Sequence, residues 1–358
     1  FFIISNTAGG QLYTIKVTGS RGDYSSTTLT VTASAKLNPT SGVPPVTGPP
    51  ATPGTEVTVS GSGFFVTDTG CTIDVFPAPP APYNLVIDQT GEPACTVTNG
   101  VLTAKFKVGA GSTYGVGFSV RVRGTPGLDG VTLSFNVNPT IVLSQTYGPA
   151  GLVVVVSGSG FDPTAPLGAC NTFASNPAGL GAPAACARNA DGTITAGFTV
   201  AAAAANGNYT VTVTGRGAPS ADTATALFSK TASMTLLPTS GRPGTPVLVS
   251  GTGFAAGDTG CTIIAYGAGN LISSPLCTVA GGSMAGSFTV ASGAAGPYLV
   301  KVIGTTGDFG LATFTVPLAP TLTLNHYTGP VGTAVTASGS NYQGTTCILT
   351  AAPSTLFT

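Results

Sequence analysis

Seven cysteines are the residues of this 358-residue sequence best suited to chemistry, because a thiol can form a disulfide, bind a metal or act as a nucleophile. They recur in pairs whose spacing differs from the C-x2-C pattern of zinc sites, and the sequence has one histidine, His326. We therefore predict disulfides in an oxidising compartment, outside the cell or at its surface, and no metal site. The predicted pairs are Cys71–Cys95, Cys170–Cys186 and Cys261–Cys277, with Cys347 pairing to a residue outside the sequence.

Two aspartates, Asp68 and Asp258, recur in the sequence Asp-Thr-Gly-Cys. An aspartic-protease site would need a second carboxylate in a shared cleft, and a calcium site would need several oxygen ligands together. Gly70 and Gly260 lead into a cysteine and not into a catalytic turn, and acidic residues are too sparse for a calcium site. We expect each aspartate to form an Asx turn or a local cap, and we predict no cofactor.

Three further motifs resemble functional sites in letters only. Arg21-Gly22-Asp23 spells an integrin-binding tripeptide, but other copies carry Gly and Asp in the same turn, as in Thr306-Gly307-Asp308. Asp308-Phe309-Gly310 lacks the other elements of a kinase, and His326 lacks an acidic neighbour for a catalytic triad. The sequence thus predicts no catalytic residues and no enzyme activity.

One N-glycosylation sequon is present, Asn208-Tyr209-Thr210. Asn208 is a candidate for glycan attachment at the start of a strand, and its occupancy is left open.

The elements that position these residues follow a long repeat, which a recurring phrase marks at intervals of 97, 93 and 88 residues. A period of this length indicates an array of domains, with three complete copies and a partial copy at each end. The phrase occurs at 60–64 (Ser-Gly-Ser-Gly-Phe), 157–161, 250–254 and 338–342, and its aromatic residues Phe64, Phe161, Phe254 and Tyr342 are predicted to anchor the cores. The predicted units are 1–34, the C-terminal half of a repeat; 35–137, 138–230 and 231–318, complete repeats; and 319–358, the N-terminal half of a repeat.

Each complete copy contains about seven short strands with turn signals every 8 to 12 residues, which is typical of an immunoglobulin-like β-sandwich. The fold class predicted is therefore all-β. In the penultimate strand of each copy, alternation places one set of residues towards the core. These predicted inward sets are Tyr13, Ile15 and Val17; Phe118, Val120 and Val122; Tyr209, Val211 and Val213; and Tyr298, Val300 and Val302. The outward residues Leu299 and Ile303 are predicted to form a packing surface or to be covered by a loop.

Charge and hydropathy exclude several partners. Charged residues make up 7% of the chain and the net charge is zero, which disfavours nucleic acid and anionic membranes. No apolar run reaches the 18 residues of a membrane span, and Phe1-Phe2-Ile3-Ile4 lacks the basic flank of a signal peptide.

The opening of each copy resembles the IPT/TIG family of immunoglobulin-like domains. The family pattern is legible at Pro39-Thr40-Ser41-Gly42 and at 54–64, which reads Gly-Thr-Glu-Val-Thr-Val-Ser-Gly-Ser-Gly-Phe. The resemblance implies tandem β-sandwiches of a microbial surface protein, and such domains serve many functions. The paired cysteines and the insertions at 43–50 and 77–82 depart from the family pattern.

These features together predict a non-enzymatic structural protein that forms an extracellular filament, stalk or surface layer. Its partners would be other copies of itself or neighbouring repeats of a longer chain, and glycans. The alternatives are the stalk of a cell-surface adhesin and the non-catalytic appendage of a secreted enzyme. The partial copies would be completed by missing sequence of a longer repeat polypeptide, or by the tail of one chain joining the head of the next.

Overall fold

A computed structural model describes residues 1–5, 8–127, 129–164, 172–181, 186–215, 222–267, 270–292, 295–342, 346 and 348–350. The described residues form strands and turns, and none of them is helical. The chain divides into two compact units, Phe1–Lys230 and Thr231–Thr358. The protein is thus all-β, as the sequence predicted.

The first unit begins with a two-stranded antiparallel sheet made of β1 (Leu12–Thr18) and β2 (Tyr24–Thr30). The turn between them contains Gly22, whose φ of 89° suits glycine.

The first complete sandwich is one continuous sheet that folds over on itself. The strand order β3-β5-β9-β8 forms one layer and β6-β10-β11-β4 the other, while β7 pairs with β9. The two layers are joined where Gly70 pairs with Thr96. The strands are β3 (Ser34–Asn38), β4 (Ser41–Gly42), β5 (Glu56–Ser62), β6 (Gly70–Val75), β7 (Ile87–Asp88), β8 (Thr96–Thr98), β9 (Val101–Val108), β10 (Gly115–Thr125) and β11 (Gly130–Val137).

The second sandwich consists of two four-stranded sheets, ordered β12-β14-β17-β16 and β13-β19-β18-β15. Only Asn138 and Pro139 separate its first strand from the last strand of the first sandwich. The strands are β12 (Thr140–Leu143), β13 (Tyr147–Gly148), β14 (Val153–Ser159), β15 (Thr172–Asn176), β16 (Ala187–Arg188), β17 (Ile194–Thr199), β18 (Gly207–Thr214) and β19 (Thr223–Lys230).

The second unit contains a third sandwich followed by a two-stranded sheet. The sandwich has the orders β20-β21-β24-β23 and β22-β25-β26, and the last two strands of the chain pair with each other. The strands are β20 (Ser233–Leu237), β21 (Pro246–Thr252), β22 (Cys261–Tyr266), β23 (Ile272–Ala280), β24 (Ser283–Val290), β25 (Gly296–Gly304), β26 (Phe309–Val316), β27 (Thr321–Leu324) and β28 (Ala337–Ser340).

The opening segment of each sandwich crosses from one sheet to the other. In the first sandwich β3 pairs antiparallel with β5, and then β4 pairs in parallel with the last strand, β11. The same parallel closure joins β13 to β19 and Ser240 to Thr315. This crossing is the immunoglobulin-like arrangement, so the sequence Pro-x-Ser-Gly marks the point where the chain changes sheet.

The predicted inward sets are buried in all three complete sandwiches. Val120, Val211 and Val300 are each fully buried in a separate hydrophobic core between two layers. Period-2 alternation of β-branched residues therefore identifies the core face correctly.

Each core also contains an aromatic pair that contacts edge to face across the two layers. The partners are the fully buried rings of Phe106 and Phe135, Phe198 and Phe228, and Phe288 and Phe314, with centroids 5.9, 5.5 and 6.0 Å apart.

Two residues of the partial copies differ from their prediction. Val17 is 70% exposed and Tyr342 is 54% exposed, whereas Phe64 and Phe161 are fully buried and Phe254 nearly so. The reason is that, within the described residues, β1–β2 and β27–β28 form two-stranded sheets with no second layer packed on them.

Candidate functional site

The first and third sandwiches each contain one of the predicted disulfides. Cys71 bonds to Cys95 and Cys261 bonds to Cys277, with Cα atoms 5.1 and 5.4 Å apart. Cys261 lies on β22 and Cys277 on β23, so this bond fastens one layer of the sandwich to the other. Both bonds close loops of about 20 residues, which in the chain-entropy model is worth about 3 kcal/mol of stability.

The remaining cysteine predictions fall on residues that are not described. Cys170 and Cys347 lie outside the described residues, so the Cys170–Cys186 pairing and the partner of Cys347 stay predictions. No group of three or more His, Cys, Asp or Glu side chains with metal-binding geometry occurs in the described part of the chain.

Two aspartates face each other at one end of the first sandwich. Asp68 Oδ1 accepts a hydrogen bond from the backbone N–H of Gly127 at 2.6 Å, and Asp129 Oδ2 accepts one from Phe65 at 2.9 Å. The other two oxygens, Asp68 Oδ2 and Asp129 Oδ1, are buried and have no hydrogen-bond donor. Both converge on Gly124, where a Cβ atom would contact each of them.

The third sandwich repeats this geometry. Asp258 Oδ1 accepts a hydrogen bond from the N–H of Thr306 at 2.7 Å, and Asp308 Oδ2 accepts one from Ala255 at 2.7 Å. Asp258 Oδ2 is buried without a donor, and it converges with Asp308 Oδ1 on Gly304. The first and third sandwiches thus build the same carboxyl pair, although the turns that contain Asp129 and Asp308 differ in sequence.

The first pair shifts the pKa of one of its members upward. Burial raises the pKa of Asp129, and the facing carboxyl of Asp68 raises it further, to about 6, against the lowering effect of the backbone N–H of Phe65.

In the pair of the third sandwich, the pKa of Asp258 is shifted downward. Burial acts to raise the pKa of Asp258, but the hydrogen bond from the backbone of Thr306, the facing carboxyl of Asp308 and the hydroxyls of Thr306 and Thr305 outweigh it and lower the pKa to about 2.

The second sandwich has a different acidic arrangement at the equivalent end. Asp222 Oδ2 accepts a hydrogen bond from the N–H of Asp162 at 2.6 Å, as Asp129 does from Phe65. Asp162 directly follows the recurring phrase, and the buried guanidinium of Arg188 donates to its backbone carbonyl. This end of the second sandwich therefore contains a buried cation.

The expected role of Asp68 and Asp258 as local caps is wrong. Their oxygens accept hydrogen bonds from residues 59 and 48 positions away in the chain, at the far side of the turn after the penultimate strand. Sequence reasoning did not pair them with Asp129 and Asp308. The available signal was the aspartate that follows the penultimate strand in every copy.

The integrin-like tripeptide occupies that same turn position. The N–H of Gly19 donates to the carbonyl of Asp23 at 2.7 Å, as Gly124 donates to Asp129 at 2.9 Å and Gly304 donates to Asp308 at 2.8 Å. Asp23 is thus the turn aspartate of the partial copy, which supports a role in turn geometry.

Within the first unit, neighbouring repeats are joined by a packed contact at the recurring phrase. The hydroxyl of Ser159, which is 4% exposed, donates to the carbonyl of Pro44 at 3.2 Å. Gly160 has a φ of 76°, and a Cβ there would come within 2.9 Å of the Pro44 ring. The insertion at 43–50, which departs from the resembled family, therefore contacts the second sandwich.

A second contact of this kind lies one repeat earlier. The N–H of Gly10, just before β1, donates to the carbonyl of Phe64 at 2.9 Å. At the equivalent turn of the second sandwich, a Cβ on Gly192 would lie 3.4 Å from a methyl of Thr113, which precedes β10. In both cases, the segment before the penultimate strand of one repeat contacts the Gly-Phe turn of the next repeat.

A cavity of about 410 Å³ lies in the first unit, beside the contact between the first and second sandwiches. Its walls include the half-buried rings of Tyr83 and Tyr114, residues 77–80 of the insertion at 77–82 and the exposed side chain of Val116. Asp162 also lines it, with Oδ1 accepting hydrogen bonds from Thr164.

The candidate glycosylation residue lies on an exposed strand. Asn208 is exposed on β18, and its Oδ1 accepts a hydrogen bond from Ser229. On the third sandwich, Leu299 is exposed, with 36% of its surface accessible, and Ile303 is half-buried. No helix long and apolar enough to cross a membrane is found among the described residues.

Comparison with known proteins identifies no family for this sequence. No family model matches it, and no curated protein matches it significantly. Solved structures that match include the Yersinia pseudotuberculosis adhesin InvE, at 16% identity over 51% of this chain and 59% of that chain, with a TM-score of 0.23. The bacterial integrin-binding protein invasin matches at 17% identity over 82% and 62%, with a TM-score of 0.22.

The N-terminal eight immunoglobulin domains of Down Syndrome Cell Adhesion Molecule also match, at 12% identity over 87% of this chain and 46% of that chain, with a TM-score of 0.20. The chain therefore spans about half to three fifths of the length of these first structures. Since these TM-scores are low, the fold assignment rests on the strand pairing described above.

Proposed function

We propose that this chain is a non-enzymatic structural protein, a series of IPT/TIG-like sandwiches from a microbial extracellular filament, stalk or surface layer. The packed contact between the first and second sandwiches carries the proposal. A two-residue connection and the Ser159–Pro44 hydrogen bond restrict bending there, as a structural array requires.

The disulfides support a location outside the cell. Cys71–Cys95 and Cys261–Cys277 recur at equivalent positions of two sandwiches, and such bonds persist in oxidising compartments. The partners proposed are further copies of the chain or neighbouring repeats of a longer one, with glycan on Asn208. Nucleic acid is not a proposed partner, because the chain has zero net charge and few charged residues.

The burial of the carboxyl pairs supports the absence of enzyme activity. An acid–base catalyst must reach a proton on a bound substrate. Asp68 and Asp258 are 2% and 4% exposed, and each points an oxygen at backbone N–H groups of its own sandwich. The turns of each sandwich enclose these carboxyl groups, so we assign them a structural role in holding the sandwich together.

One observation favours a second candidate function, the stalk of an adhesin with a ligand site of its own. Tyr83 and Tyr114 line the 410 Å³ cavity, and tyrosine rings offer flat surfaces on which sugars stack. An enzyme appendage is the third alternative, with no specific observation in its favour.

Negative-stain electron microscopy of the native material, together with a glycan array, distinguishes these functions. We expect regular fibres or stalks at the cell exterior, and no saturable binding of any glycan. Isolated particles that bind one glycan class, with binding lost in Tyr83→Ala and Tyr114→Ala, would instead identify an adhesin. Hydrolysis of any array glycan would contradict the non-enzymatic assignment.

A further inference from the structure

The carboxyl pairs have an unusual balance of donors and acceptors. In the first pair, two oxygens accept backbone N–H groups and the other two, Asp68 Oδ2 and Asp129 Oδ1, are buried and meet each other without a donor between them. Two ionised carboxylates in this position would repel and would leave both oxygens unsatisfied, at a cost typical of buried unpaired charges. The geometry therefore requires a positive charge or a proton between these two oxygens.

The same requirement arises independently in the third sandwich. Asp258 is 96% buried, since its exposed fraction is 4%, and its Oδ2 has no donor. It converges with Asp308 Oδ1 on the position that a Cβ of Gly304 would fill, as the first pair converges on Gly124. Asp308 Oδ1 also accepts a hydrogen bond from the Thr306 hydroxyl at 3.3 Å, so in this pair Asp258 Oδ2 is the oxygen that lacks a donor. Glycine at both positions leaves the space that a Cβ would fill.

The charged groups on the surrounding strands do not supply the missing charge. On β10, Arg121 forms a bidentate ion pair with Asp74 on β6, and Arg123 has a guanidinium nitrogen 3.9 Å from that same carboxylate. The strand β11 carries no charged residue.

In the third sandwich, Lys301 is the charged residue of β25, and its ammonium lies 4.3 Å over the ring of Phe309. The strands β22 and β26 carry none. A proton is the smallest group that satisfies both facing oxygens, and the pairs lack the further ligands that a divalent cation needs.

We propose that Asp68 with Asp129, and Asp258 with Asp308, each hold one shared proton, which makes the end of the first and third sandwiches a proton-binding site. One carboxyl donates its proton to the other, so the pair carries a single negative charge. Loss of the proton places two like charges in a buried turn and loosens the link between the Gly-Phe turn and the penultimate strand.

The pKa shift of one member of each pair agrees with this arrangement. Asp129, with its pKa raised to about 6, is the proton holder of the first pair, and Asp258, with its pKa lowered to about 2, is the ionised member of the third. A raised folded-state pKa gives stability that is fully present below the unfolded value of about 3.9 and is lost as pH rises through about 6. A lowered folded-state pKa, as at Asp258, gives stability that is present above about pH 3.9 and is lost as the pH falls through about 2. The protein should therefore be most stable at mildly acidic pH.

The sharpest test is a pH titration of the full chain with ¹³C in the aspartate carboxyl groups, followed by NMR. Ten aspartates give a tractable spectrum. We expect the Asp129 signal to titrate with a midpoint near pH 6. A midpoint below about pH 4.5, near that of an ordinary aspartate, would overturn the proposal.

The matched variants separate a shared proton from a metal ion. In Asp129→Asn the amide keeps an oxygen for the N–H of Phe65 and offers Asp68 a permanent N–H in place of the proton. Asp129→Asn should remove the fall in melting temperature between pH 5 and pH 7.5 that follows from the raised pKa of Asp129. The exposed turn variant Asp191→Asn is the control and should keep that fall.

Melting in the presence of calcium and of EDTA completes the test. A proton site predicts the same melting temperature in both at pH 7. A melting temperature that calcium raises and EDTA lowers, with the effect lost in Asp129→Asn, would show a cation site and contradict the proposal.

Discussion

At the residue scale, the recurring aspartates tie together segments that are distant in sequence. Asp129 and Asp308 hold the backbone that follows the Gly-Phe turn, and Asp68 and Asp258 hold the turn after the penultimate strand. Because these hydrogen bonds involve charged or shared-proton carboxyls in a buried place, each is stronger than an ordinary neutral hydrogen bond. They explain why aspartate recurs here in a chain with so few charges.

Gly304 provides a test of the packing around Asp258 and Asp308, the carboxyl pair of the third sandwich. A Cβ at this position would contact both Asp258 and Asp308, so Gly304→Ala should force the carboxyls apart and lower the free energy of unfolding by about 1–3 kcal/mol. Gly257→Ala is the matched control, because a Cβ there meets nothing within 4 Å. Urea denaturation of the two variants should show a loss only for Gly304→Ala, and equal stabilities would contradict the close packing.

Residue-level prediction from the sequence succeeded where the reason was local. Alternation identified Val120 and Val300 as core residues, because the period of a strand depends only on neighbouring positions. It did not pair Asp68 with Asp129, because that contact depends on how the two layers meet. Val17 shows the same limit, since alternation marks a face and says nothing about what covers it.

At the scale of elements, the disulfides join the two layers of a sandwich. In the third sandwich the bond runs from β22 to β23, two edge strands that belong to different sheets.

The double variant Cys261→Ser and Cys277→Ser measures what this bond contributes. We expect the free energy of unfolding of the third sandwich to fall by about 3 kcal/mol, mainly because the unfolded chain regains freedom. Denaturant melts followed by a probe in this sandwich provide the measurement. A reducing agent should reproduce the loss in the unmodified chain and have no effect on the third sandwich of the variant; an unchanged stability would contradict the structural role.

The all-β immunoglobulin-like fold class could be anticipated because the repeat shows its turns and its hydrophobic alternation several times. The crossing at Pro-x-Ser-Gly was not predicted in detail, since two-residue strands such as β4 carry almost no signal of their own. Their pairing with the last strand depends on the finished sandwich.

At the scale of the whole molecule, the repeats of the first unit are built to pack on one another. The insertion at 43–50 looked in the sequence like a departure from the pattern, and in the structure Pro44 accepts a hydrogen bond from Ser159 of the next sandwich. A contact between residues 115 positions apart could not be derived from composition or period. This contact distinguishes an array of sandwiches packed on one another from separate domains on flexible linkers.

The distance distribution between spin labels on the first and second sandwiches tests this claim most directly. Labels introduced as non-natural amino acids at the exposed Thr103 and Thr199 leave the disulfides intact in the full chain. We predict one narrow distribution, which Ser159→Asp broadens by placing a carboxylate against the Pro44 carbonyl and which the control Thr252→Asp leaves unchanged. A distribution in the unmodified chain as broad as that of Ser159→Asp would show freely moving sandwiches and contradict a structural array.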